Sequence, residues 1–291
     1  MPDDRGILTA DDLASLVHPP ADARLAYGTD PCQFGDLRLP VGSGPHPVVI
    51  LLHGGCWKAE YDLTYVGAMA AGLATEGIAT WTLEYRRVGH VGGGWPGTFI
   101  DVARGADHLR TIAAPYALDV GRVVSVGHSA GGQLAIWLAA RHRLVPGSAL
   151  HSADPLVLRG VLALAPAAHL AILHADGTCE DAVDGLLGGS PATVPERYRD
   201  TSPPELVPIG VPQIVLVGRH DATWRPNAEA YYEVAREVRD PVEWRTAPDS
   251  GHFELVFPSS STWPIVVQSV RDLLNRSPFA GGRSTPDAAG H

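Results

Sequence analysis

The chain has little cysteine: Cys32, Cys56 and Cys179 are the three in 291 residues. An odd, sparse set in a long chain is no disulfide framework, and a reducing cytoplasm is the expected home. Long apolar runs are absent as well. No stretch reaches 18 consecutive apolar residues, so no membrane span is expected. The N-terminal stretch MPDDRGILTADDLASLVHPP carries four acidic residues and no continuous apolar core, which argues against a secretory leader. Basic charge is scarce too. The formal net charge is −10, and Lys and Arg stand singly or in pairs such as Arg86-Arg87. A nucleic-acid binder should show a basic stripe, so nucleic acid is not an expected partner. Gly92-Gly93-Gly94 lacks the Lys-Ser/Thr of a phosphate loop and reads as a flexible loop; no cofactor is expected.

What is present is a strand–helix alternation. At this length one large α/β domain would bury roughly three quarters of the surface its unfolded chain exposes. Residues 1–22 read as a peripheral segment with a short helix near Thr9 to Leu16. Residues 23–276 read as one domain and 277–291 as a disordered tail. Weak alternation over 24–28 and 33–39 predicts an antiparallel hairpin. The run Val48-Val49-Ile50-Leu51-Leu52 predicts a strand buried on both faces. Further strands are expected over 78–85, 122–126, 158–164, 213–217 and 242–246. Helices are expected over 66–75, 101–111, 133–140, 227–238 and 263–274. This order implies a mostly parallel central sheet with helices on both faces. Residues 166–212, rich in Pro, Gly and acidic groups, read as a cap-like insertion.

The strongest chemical signal is Gly127-His128-Ser129-Ala130-Gly131, a G-x-S-x-G pattern. It follows an expected strand and precedes an expected helix, the context in which a sharp turn presents a nucleophilic serine. Small residues two before and two after keep that turn free of collisions. Serine needs a base, and in such a sheet the acid and then the histidine should follow it in chain order. Beyond Asp221, His252 and the terminal His291 are the histidines available, and His252 lies in a loop between the last strand and helix. Asp221 follows the strand over 213–217 and is the expected acid; Asp249, three residues before His252, is its competitor.

The segment His53-Gly54-Gly55-Cys56-Trp57 admits two readings, reactive side chains or a backbone tool. A Cys56-His53 dyad is disfavoured, because residues three apart leaving a strand seldom bring thiol and imidazole into bonding geometry. A metal site from His169, His174, Asp176, Cys179 and Glu180 lacks the tight ligand spacing zinc prefers, so no metal is expected.

With these residues in place, the chain resembles the α/β-hydrolase superfamily over residues 24 to 275. HGGCW resembles the HGG-x-W loop of kynurenine formamidase-like and small acetyl- or feruloyl-esterase-like serine hydrolases. Tyr27-Gly28, Asp36 to Pro40 and Glu84-Tyr85-Arg86 are similar to neighbouring segments of that group. The resemblance implies an α/β-hydrolase fold with Ser129 as nucleophile, Asp221 as acid and His252 as base. It implies an oxyanion hole from the N–H groups of Gly55, Cys56 and Ala130, with His53 bracing the loop. The chain departs from that group at Cys56, where a Tyr, Phe, Ala or Gly is commoner. Trp57, Tyr61, Trp95, Trp224 and Phe253 flank these loops and are the expected substrate contacts, with the insertion covering them.

The expected activity is hydrolysis of small carboxylic esters through an acyl-enzyme. The alternative is an amide hydrolase of the N-formylkynurenine type, and a non-catalytic binding protein on the same scaffold is a third reading. The expected partner is a small ester or amide; oligomeric state is not readable from the sequence.

Overall fold

The computed structural model describes residues 7–14 and 19–276. Its strands are β1 (Ala23–Ala26), β2 (Phe34–Arg38), β3 (His46–Leu52), β4 (Ala79–Leu83), β5 (Leu118–His128), β6 (Gly160–Leu164), β7 (Gln213–Gly218) and β8 (Val242–Ala247). Its helices are α1 (Ala10–Ala14), α2 (Gly67–Thr75), α3 (Gly97–Asp107), α4 (Leu109–Ile112), α5 (Ala130–Ala140), α6 (Leu170–Asp176), α7 (Ala182–Leu187), α8 (Pro195–Thr201), α9 (Pro203–Leu206), α10 (Arg225–Glu237) and α11 (Trp263–Asn275).

The strands form one sheet in the order β1-β2-β4-β3-β5-β6-β7-β8. β1 and β2 pair antiparallel, as does β2 with β4, and the remaining neighbours are parallel. Val48 through Leu52 of β3 are fully buried, as a strand with covered faces requires. β5 runs beside it in register, Leu52 opposite Gly127. The chain leaves β3 for β4 on one side, while β5 lies on the other. That reversal opens a crevice at the carboxyl ends of the two strands, where ligands settle in open α/β sheets. Every residue of α5 is buried, and this helix packs on β5 and β6 behind the crevice.

The observed elements match the expected ones in order and type, with two informative differences. β5 begins at Leu118 rather than near Arg122, because its first half is polar and partly exposed and leaves no hydrophobic pattern. The stretch 166–212 holds four helices, none longer than seven residues, too short for periodicity to register. The expected tail over 277–291 lies outside the described residues. Among the described residues no helix is long and apolar enough to cross a membrane.

Candidate active site

Ser129 sits between β5 and α5 with φ +56° and ψ −121°, a left-side backbone conformation that serine adopts only under constraint. The glycines around it are the constraint's counterpart. A Cβ on Gly127 would strike the Gly131 carbonyl, and one on Gly131 would strike the carbonyls of Leu52 and His53. The turn is therefore pressed against the end of β3. The Ser129 N–H donates to the Leu164 carbonyl at 2.9 Å, tying the turn to β6 as well.

His252 and Asp221 come from the loops after β8 and β7. His252 Nδ1 lies 2.7 Å from Asp221 Oδ2. A carboxylate accepts and cannot donate, so a neutral His252 carries its proton on Nδ1 and leaves the Nε2 lone pair facing outward. Asp221 is itself held, its Oδ1 accepting the Trp224 N–H at 3.1 Å. Asp249 is exposed, and the carboxylate on the imidazole is that of Asp221. The His252 loop approaches β7 so closely that a Cβ on Gly218 would strike the carbonyls of Ser250 and Gly251. Trp224 stacks on the His252 ring at 5.3 Å, and Phe253 meets it edge-on at 5.0 Å.

The HGGCW segment forms the opposite wall. His53 is buried, with Nε2 3.2 Å from Glu84 Oε1, Nδ1 2.9 Å from the Gly54 carbonyl and its ring stacked on Tyr85 at 4.4 Å. It is tied within the loop and is not among the residues that line the cavity beside Ser129. Gly55, Cys56 and Trp57 follow with φ of +98°, +50° and +55°. This left-handed run turns the chain back so that Lys58 N–H reaches the Gly55 carbonyl at 2.9 Å. The Gly54 N–H is taken by the Tyr65 hydroxyl. By contrast, the N–H groups of Gly55, Cys56 and Ala130 meet no acceptor among the described residues.

A cavity of about 380 Å³ unites these walls. It is lined by Gly55, Cys56, Tyr61, Tyr65, His128, Ser129, Trp224, His252 and Phe253, with Ala10, Asp11 and Leu13 of the N-terminal segment. Three of the five aromatics expected to meet substrate are therefore here: Tyr61, Trp224 and Phe253. The other two are not. Trp57 is fully buried in the core, its indole N–H donating to Gln133 at 3.2 Å. Trp95 packs on Phe99 and under the Arg197 guanidinium, away from the cavity.

Three further expectations need correction. Cys56 is disulfide-bonded to Cys179, with Cα atoms 5.7 Å apart, so these cysteines are not unpaired thiols. The bond fastens the HGGCW loop to the segment between α6 and α7, seconded by a Lys58–Glu180 ion pair. The expectation of a reducing compartment rested on unpaired cysteines and loses that basis, since such bonds persist mainly in oxidising ones. In the run expected to hold no metal, Cys179 is in the disulfide, Glu180 pairs with Lys58, and His174 pairs with Asp184 at 2.9 Å. Finally, among the described residues the N-terminal segment contributes Ala10, Asp11 and Leu13 to the cavity lining, and residues 166–212 contribute none. Leu13 is buried there, and the Leu8 N–H donates to Glu254 just after His252. A five-residue helix with two exposed members gives no sequence signal of that role.

Besides Ala10, Asp11 and Leu13, Tyr65 and His128 are the cavity residues that sequence reasoning passed over. His128 is buried and Tyr65 half-buried, with Tyr65 Oη 3.2 Å from His128 Nδ1, and His128 Nε2 3.0 Å from the His252 carbonyl. The signal for His128 was its place beside the serine in the motif; Tyr65 had none.

Comparison with known proteins agrees with this architecture. The BD-FAE family model matches residues 36–228. Esterase LipC of Mycobacterium tuberculosis is 25% identical over 301 residues, covering 87% of this chain and 68% of that protein. By structure, an inhibited esterase B from Lactobacillus rhamnosis superposes with a TM-score of 0.76. The identity is 21%, over 90% of this chain and 89% of that one. A bifunctional GH43-CE protein of Bacteroides eggerthii superposes with a TM-score of 0.72 at 19% identity, over 88% of this chain. This chain spans only 38% of that larger protein. The shared fold is that of the α/β-hydrolases.

Proposed function

The chain belongs to the BD-FAE family, and we propose that it is a serine hydrolase that cleaves small carboxylic esters. The observation that carries this reading is the His252–Asp221 pair at 2.7 Å opening on the same cavity as Ser129. In the reaction, Ser129 Oγ attacks the ester carbonyl carbon and its proton passes to His252 Nε2. Asp221 fixes the imidazole tautomer and stabilises the imidazolium that forms.

The oxyanion accepts hydrogen bonds from the Gly55, Cys56 and Ala130 N–H groups, each such donor contributing about 2.7–4 kcal/mol in the transition state. Collapse of the tetrahedral intermediate expels the alcohol, which takes its proton from His252. Water, deprotonated by the same imidazole, then releases the acid from the acyl-enzyme.

The lining supports a compact, apolar or aromatic acyl or alcohol group, since Tyr61, Trp224, Phe253 and Leu13 line a cavity near the small end of ligand-site volumes. Kinship with a protein named an esterase supports ester over amide. The test is a panel of p-nitrophenyl esters of rising chain length together with N-formylkynurenine, on wild type and Ser129→Ala. Ester turnover lost in the variant sustains the reading. Preferential deformylation would move it to the amide class, and full ester turnover without Ser129 would end it.

A further inference from the structure

Four groups at the cavity wall form one line of hydrogen bonds, and its polarity follows from elementary donor and acceptor rules. The His252 carbonyl can only accept, so His128 Nε2, 3.0 Å away, bears a proton. Burial, and after it the neighbouring His252, push the His128 imidazolium well below its usual range, so its Nδ1 is bare. Tyr65 must then donate its O–H to that Nδ1, 3.2 Å away. The Tyr65 oxygen, in turn, accepts the Gly54 N–H, and a backbone N–H can do nothing else. Donation therefore runs from Gly54 to Tyr65, to His128, to His252, with no group facing its own kind.

The ends of this line are informative. Gly54 precedes the two loop N–H groups that face the cavity, His128 precedes Ser129, and the last acceptor is the backbone of the base. Gly54 also leaves no space for drift, because a Cβ there would lie 3.0 Å from the Ser129 Cβ and closer still to the Tyr65 hydroxyl and the His128 carbonyl. The His128 and His252 rings lie 4.3 Å apart, so the line is packed as well as bonded.

We propose that Tyr65 and His128 are positioning residues that set the spacing of the oxyanion loop, the nucleophile turn and the base loop through this single directed line. The inference rests on the Ser129–His252–Asp221 reading. By occupying the Gly54 N–H, Tyr65 also selects which N–H groups remain for the oxyanion. By occupying His128 Nδ1, it keeps a second imidazole from competing with His252 for the serine proton.

The experiment uses the full chain. A fluorophosphonate probe on wild type first tests Ser129 as nucleophile, and thermal melts confirm that each variant folds. Tyr65→Phe keeps the ring in the cavity wall and removes only the hydroxyl. It should lower kcat by about tenfold or more, less than loss of a direct oxyanion donor, with KM within about threefold. His128→Ala should show the same split. His128→Gln, whose amide can donate to the His252 carbonyl and accept from Tyr65, should recover most of the loss. The double variant Tyr65→Phe/His128→Ala should be no slower than His128→Ala alone, because one broken link already parts the line.

Wild type labelled at Ser129 with an unchanged kcat in Tyr65→Phe overturns the inference and leaves the serine reading standing. A loss confined to KM, or additive losses in the double variant, overturns it equally. No labelling of Ser129, with activity kept in Ser129→Ala, removes both.

Discussion

Asp221 Oδ2 lies 2.7 Å from His252 Nδ1 although the two residues stand on separate loops after β7 and β8. Asp249, nearer in sequence, is exposed. Substituting the two acids separately should therefore give very different results. Asp221→Asn should lower kcat/KM by on the order of 10⁴-fold, because the imidazole loses the partner that fixes its tautomer. Asp249→Asn should stay within about twofold, as surface changes away from special features do. Steady-state kinetics on a short p-nitrophenyl ester decides it; a crippled Asp249→Asn with an active Asp221→Asn reverses the assignment.

The disulfide separates backbone from side chain in the HGGCW loop. Cys56→Ala and Cys179→Ala remove the same bond and leave every N–H in place. Both should lose about 2–5 kcal/mol of stability to a similar extent, and both should retain substantial turnover at moderate temperature. A reducing agent should lower the wild-type melting temperature toward theirs and leave the variants unmoved. Activity abolished in Cys56→Ala but kept in Cys179→Ala would instead point to a thiol nucleophile.

The aromatics divide by burial. Trp57→Ala should destabilise by about 3–5 kcal/mol, because it empties a fully packed core site. Leu13→Ala and Phe253→Ala enlarge the cavity and should move the preferred ester toward longer acyl chains, read as kcat/KM across a chain-length series. An unchanged preference in both would remove these residues from the pocket wall.

Acid stability follows from two buried groups. His128 stays neutral in the fold, its imidazolium disfavoured by burial and by His252, whereas in an unfolded chain it titrates near about 6.5. Below that pH the unfolded state binds the extra proton, so stability falls as pH drops. For Glu84, burial would raise the carboxyl, but His53, Arg87 and the Tyr85 N–H outweigh it and hold the group below its usual range. Its contribution is present above the unfolded value of about 4.3 and is lost as pH falls through the lowered folded value. Denaturant midpoints should decline in two stages on acidification. His128→Gln should flatten the first stage and Glu84→Gln the second, and a flat wild-type curve between about pH 7.5 and 5.5 contradicts the first.

Much of the site was legible because strain leaves a local mark. A serine held at positive φ needs small neighbours, and Gly127 and Gly131 advertised it. Chain order then pointed to His252 as the candidate base. The illegible parts share a different physics. Cys56 and Cys179 lie 123 residues apart, and nothing local to either announces the other. A tryptophan beside such a loop has the same sequence whether it anchors the core, as Trp57 does, or lines the cavity, as Trp224 does. The Tyr65–His128 contact depends on a side chain of the 3₁₀ turn over Leu63–Val66 crossing to β5, which no periodicity records.

The bond between Cys56 and Cys179 closes a covalent ring that contains Ser129 but neither Asp221 nor His252. Val145 lies on this ring, in an exposed turn after α5. A protease cutting there would break the backbone between the serine and its two partners, yet the pieces would remain one molecule. On an unreduced gel the nicked protein would run as a single species, and a reductant would resolve it into two fragments of nearly equal length. Backbone continuity and covalent unity are thus separable in this protein.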